Sequence, residues 1–132
     1  MNNKIITFIF VLYVSVLFGQ VKQHTLIEDK QTSESPIYKL FPTKNFWTFI
    51  KLNTRNGKMW QVHFGFMETD ARATLDLNNI PLVSKEKEIN GRFTLYPSEN
   101  NFNFLLLDQI DGNVYQVQWS MEQSNRLVIP IQ

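Results

Sequence analysis

The chain opens with an unbroken apolar run, residues 5–19 (IITFIFVLYVSVLFG), behind a short start whose one charge is Lys4. A basic start, an apolar stretch of this length and a small residue at its end form the pattern of a secretory signal peptide. Gly19 is then the last residue removed and Gln20 the first kept. An uncleaved anchor would need ~20 apolar residues to cross the hydrocarbon core, so cleavage is the expectation, with no stable membrane span after it. Residues 20–36 (QVKQHTLIEDKQTSESP) are polar apart from Leu26 and Ile27 and read as a flexible leader. Beyond them the pattern turns to alternation. Trp60, Val62 and Phe64 fall on one side of a period-two ladder, with Met59, Gln61 and His63 on the other. Tyr115, Val117 and Trp119 repeat this, with Gln116 and Gln118 opposite. Both runs read as strands, and their aromatic sides as the core-facing ones.

The same segment is written twice. Residues 38–64 (YKLFPTKNFWTFIKLNTRNGKMWQVHF) and 93–119 (FTLYPSENNFNFLLLDQIDGNVYQVQW) align without a gap at a constant offset. Leu40/Leu95, Pro42/Pro97, Asn45/Asn100, Phe49/Phe104, Leu52/Leu107, Gly57/Gly112, Gln61/Gln116 and Val62/Val117 are identical, and several more pairs keep their character. Residues 46–53 and 102–108 are apolar on both faces, as expected of strands covered on two sides. Asn56-Gly57 and Asp111-Gly112 are hairpin signals, because the turn needs a positive φ that Gly adopts without steric cost. Pro42 and Pro97 each enter a turn that Asn45 and Asn100 close. Each unit therefore reads as strand, Pro turn, strand, Gly turn, strand. A fourth strand is expected around Ile80-Pro81-Leu82 and Ile129-Pro130-Ile131, at a sheet edge because Pro cannot donate to a ladder. The linker, residues 65–92, reads as holding a strand or helical turn around 71–77. Its charged stretch Lys85-Glu86-Lys87-Glu88 reads as solvated loop or strand edge. The expected fold is one all-β domain, residues 37–132, of antiparallel sheets arranged as a barrel or sandwich.

Composition narrows the chemistry. The 132 residues are 43% hydrophobic, 14% aromatic and 19% charged, which argues against disorder and coiled coil. There is no cysteine, which removes disulfides, thiolate metal sites and cysteine nucleophiles. A net charge of +1 lacks the basic surplus of a nucleic-acid binder. That small total hides a split, however. Lys39, Lys44, Lys51, Arg55 and Lys58 make the first unit purely basic, whereas Glu99, Asp108 and Asp111 make the second purely acidic. Such a bipolar surface suits an exported protein partner of complementary potential, although attraction between the two units accounts for it as well.

Catalytic motifs are absent: the chain has no Gly-rich phosphate loop, nucleophile elbow or H-E-x-x-H pair. His24 and His63 lie far apart, and His63 reads as a surface residue on a polar strand face. Asp108 and Asp111, with Asn53 and Asn56 at the equivalent places, serve turns better than calcium, and an exposed hairpin tip would not shift a carboxylate pKa. No catalytic residue, metal site or cofactor is expected. The aromatic set around Trp47, Trp60, Tyr115 and Trp119 reads first as core. Were some of those rings exposed, they would form a stacking platform for a glycan or small apolar ligand. The candidate binding residues are thus Trp47 and Trp60, with Lys44, Lys51, Arg55 and Lys58 for a charged partner.

The repeated pattern L-[FY]-P-[TS]-x-N-x-[WF]-x-F followed by G-x-x-[WY]-Q-V-x-[FW] resembles small, uncharacterised exported proteins of Gram-negative bacteria that carry this unit twice. The resemblance spans residues 38–131 and implies a shared fold and export, with no activity to carry over. Asn101 stands where the first unit has Phe46, a departure from a shared aromatic role there. Together these readings describe an exported, non-enzymatic β domain, periplasmic or extracellular, that acts as an interaction module. The alternatives are a glycan or small-ligand binder and a structural envelope protein.

Overall fold

The computed structural model describes residues 35–65 and 72–132; the expected signal peptide, His24 and nearly all of the leader lie outside them. Among the described residues, eight strands form two four-stranded antiparallel meanders. Sheet one is β1 (Tyr38–Pro42), β2 (Thr48–Asn53), β3 (Met59–His63) and β4 (Ala73–Asn78), paired in chain order. Sheet two repeats the scheme with β5 (Phe93–Pro97), β6 (Asn103–Asp108), β7 (Val114–Gln118) and β8 (Leu127–Ile131). The sheets do not close into a barrel. Among the described residues, the 3-10 turns Lys85–Lys87 and Gln123–Asn125 interrupt the connections, so the charged stretch at Lys85 is a tight turn rather than a strand edge.

The duplication is visible bond by bond. Thr54 N–H donates to the Ile37 carbonyl at 2.8 Å, and Gln109 N–H to the Arg92 carbonyl at 2.8 Å. Asn53 N–H reaches the Lys58 carbonyl at 2.8 Å, and Asp108 N–H the Asn113 carbonyl at 2.8 Å. The Pro turns repeat as well: Asn45 Oδ1 accepts from Trp47 N–H and Asn100 Oδ1 from Phe102 N–H, both at 2.9 Å. Gly57 and Gly112 take φ of +77° and +76°, as the hairpins require.

The fourth strand differs between the units. β8 contains Pro130 and lies at the edge of its sheet, as the sequence predicts. In the first unit the edge strand is instead Ala73–Asn78, and Ile80-Pro81-Leu82 is not a strand. Leu82 folds back onto the β2–β3 hairpin, where its N–H donates to the Asn56 carbonyl at 2.8 Å and its side chain covers Gly57.

One shared core lies between the sheets, and the two units do not bury the same side of their strands. In sheet one, Thr48, Ile50, Leu52, Met59 and Gln61 are buried. In sheet two the buried side carries Phe93, Leu95, Phe104, Leu106, Val117 and Trp119, positions of the opposite parity. Tyr38 is 55% exposed and its equivalent Phe93 1%; Leu40 is 59% exposed and Leu95 3%; Ile50 is 0% exposed and its equivalent Leu105 42%. The expectation that the aromatic side of both ladders faces the core therefore holds in β7 and fails in β3. The physical reason is stacking of equivalent sheets front to back. A pair packed like against like would bury the same parity twice, whereas a front meeting a back buries opposite parities. Strands that are apolar on both faces make either face buriable.

Candidate functional site

The face of sheet one turned away from the core carries the most exposed aromatic surface of the first unit. Register places Tyr38 and Leu40 on β1, Phe49 and Lys51 on β2, and Trp60 and Val62 on β3 on this side. Lys51 stands opposite Leu40 on one flank and Trp60 on the other. Its Nζ lies 4.6 Å from the Trp60 ring centroid and 6.0 Å from that of Tyr38, and the two rings lie 6.4 Å apart. An ammonium held over two ring faces gains from their quadrupoles while its stem covers apolar surface. At the end of the same face, Trp47 meets Phe46 edge-on at 4.8 Å and Phe64 at 5.4 Å, with Phe49 beyond Phe64 at 5.9 Å. The Pro turn positions this group, since Asn45 Oδ1 holds Trp47 N–H and Phe64 N–H donates to the Trp47 carbonyl at 3.0 Å.

Of the six candidate binding residues, the structure gathers Trp47, Trp60 and Lys51 on this face. The others have different surroundings. Lys44 Nζ donates to the Glu99 carbonyl, across to the equivalent turn of the second unit. Arg55 pairs with Glu88 at 3.4 Å, and Glu88 also accepts from Asn56 Nδ2 at 3.0 Å. Lys58 N–H donates to Asn56 Oδ1, and its side chain is half-buried. Two of the first unit's five cations, Lys44 and Arg55, are thus engaged by the second unit and the linker.

Two expectations about titratable groups are corrected. Asp108 is not on an exposed tip: it is buried, with Oδ2 accepting from Arg92 at 2.8 Å and Oδ1 from the N–H groups of Ile110 and Asp111. Burial alone would raise its pKa, but the Arg92 bond and the two N–H donors more than offset that and hold it below the usual carboxylate value. The Asp108 bond in turn raises Arg92, whose guanidinium also meets Asp111 and donates to the Lys87 carbonyl. The strand positions carry no signal for Arg92, because its partner lies in a different strand and hairpin. His63, expected on an open face, lies on the buried side of sheet one. Its Nδ1 shares a 3.0 Å hydrogen bond with Thr48 Oγ1, and its pKa is lowered by burial and then by the nearby Arg126.

Among the described residues, no three His, Asp or Glu side chains gather as metal ligands, and no helix is long and apolar enough to cross a membrane. No family model, curated protein or solved structure matches this chain.

Proposed function

We propose that the chain is a non-enzymatic interaction module of the cell exterior or periplasm, and that the outer face of sheet one is its binding surface. One observation carries this reading: Tyr38 and Leu40 stay exposed beside Lys51 and Trp60, and Phe64 at the end of the same face, although the equivalents of all three in the second unit form the core. A contiguous apolar face with a charge at its centre is the usual mark of an interaction site. The signal-peptide pattern of residues 1–19 supports export. A protein partner fits better than a glycan. Sugar stacking needs an open indole face, and here Trp47 is flanked by Phe46 and Phe64, and Trp60 by Tyr38 and Lys51. The engagement of Asp108 with Arg92 and the two turn N–H groups supports a structural use of that carboxylate over a catalytic one.

The test is affinity retention of exported proteins on the immobilised chain. The native chain should retain a partner, Trp60→Ala and Lys51→Glu should lose it, and Lys58→Ala should keep it. Retention unaffected by both face variants would overturn the assignment of the surface. For export, terminal sequencing should find Gln20 first; an intact Met1 on the secreted or membrane fraction would overturn cleavage.

A further inference from the structure

The faces that meet inside the molecule and the faces that do not are related by the repeat itself. Sheet two's buried Phe93, Leu95, Phe104, Leu106, Val117 and Trp119 correspond to Tyr38, Leu40, Phe49, Lys51, Val62 and Phe64, 55 positions earlier, on the outer side of sheet one. Sheet one's buried Thr48, Ile50, Leu52, Met59 and Gln61 correspond to Asn103, Leu105, Leu107, Val114 and Gln116 on the outer side of sheet two. Each outer face is therefore a chemical copy of one half of the internal interface, left without its other half.

Resting on the reading of sheet one's outer face as a binding surface, we infer that its partner is a second copy of this chain, stacked head to tail. Sheet two of one copy packs on sheet one of the next, as sheet one packs on sheet two within the chain. The internal contact supplies the template in detail. Thr54 C=O accepts Phe93 N–H at 2.8 Å between the units; across copies, the exposed Gln109 carbonyl takes that place for Tyr38 N–H. Lys44 reaches the Glu99 carbonyl within the chain; across copies the equivalent pair is the Glu99 carboxylate and the Lys44 carbonyl, two acceptors, so this bond is not repeated. What repeats is the pairing of faces: the outer face of sheet two on one copy meets the outer face of sheet one on the next. Such a contact uses unlike patches, so it closes into a ring or runs on as a filament. Four-stranded antiparallel sheets stacked in this way close as propellers of typically four to eight blades, which corresponds to about two to four copies.

Lys51 is the main departure from the template, since Leu106 stands at its equivalent in the core. Burying that ammonium weakens the contact between copies relative to the internal one, which makes the association reversible. Lys51→Leu, which restores the internal residue, should strengthen it. Sedimentation velocity on the chain purified from an exporting host, across a concentration series, should show a step from one copy to a discrete larger species. Leu105→Lys, on an exposed position of sheet two, should hold the chain at one copy with an unchanged circular dichroism spectrum. Lys51→Leu should move the step to roughly tenfold lower concentration. A native chain and a Lys51→Leu chain that both remain single copies at the solubility limit would overturn the stacking. If that chain still retains an exported protein and Trp60→Ala loses it, the binding face stands and only its partner is wrong. If it retains nothing, both readings fall.

Discussion

At the scale of single residues, the Arg92 and Asp108 pair shows how a turn position becomes structural. Asp108 occupies the place of Asn53, and both side chains accept the N–H two residues on, at 3.0 Å. A neutral Asx suffices in the first unit. In the second, the charge is matched by a buried guanidinium, and removing one member leaves the other uncompensated. Asp108→Ala is therefore expected to cost about 3–5 kcal/mol in denaturant unfolding, well above Asp111→Ala. Asp108→Asn, which keeps the turn bonds, should fall between them. The pH dependence has two parts with one sign. His63 is lowered from 6.5, so the unfolded chain takes up its proton first and stability falls as pH drops below about 6.5. Asp108 is lowered from 3.8, so its contribution is full above that value and is lost as pH falls below it, toward the folded pKa. His63→Gln, which copies the residue at Gln118, should flatten the upper part of a melting-temperature profile and leave the acid limb in place.

At the scale of elements, the strands and turns common to both units were legible in the sequence; the first unit's edge strand, expected around Ile80-Pro81-Leu82, lies at Ala73–Asn78, and the choice of buried face was not legible. Alternation located β3 and β7, Asn-Gly and Asp-Gly located the hairpins, and Pro130 marked an edge, because each is a local signal. Facing is a property of the pair of sheets. β2 and β6 have apolar residues on both sides, and nothing within either strand says which side meets a neighbour. Arg92 escaped notice for a similar reason, since its partner lies in another strand and hairpin. Gly57 and Gly112 share a conformation, yet only Gly57 has Leu82 seated on it, a contact made by the linker and not by the repeat. Reversed parity has a measurable consequence. Ile50→Ala should cost about 2–5 kcal/mol through the cavity it leaves, whereas Leu105→Ala, its exact equivalent in sequence, should change single-copy stability by less than about 1 kcal/mol. Equal costs at the two positions would contradict the front-to-back arrangement.

At the scale of the whole molecule, the units share their core and are tied across it by Gln61 Nε2 to the Ser120 carbonyl and Arg126 to the Asp76 carbonyl. Neither sheet buries its inner face without the other, so residues 35–132 are expected to unfold in one cooperative step. Far-ultraviolet circular dichroism and tryptophan fluorescence, which draws on Trp119 in sheet two and Trp47 and Trp60 in sheet one, should give coincident denaturation curves. Separated curves would mean that one sheet outlasts the other. The four sheet edges have a further meaning. Three carry a proline, Pro42 on β1, Pro97 on β5 and Pro130 on β8, and on the fourth, β4, the Asp76 carbonyl is taken by Arg126. An edge strand with free N–H and C=O groups is a template for amyloid-like pairing. With every edge interrupted, a protein whose faces are this apolar is shielded against sideways growth of its sheets, and Pro130→Val should remove part of that shield, shortening the lag before thioflavin-positive fibrils form.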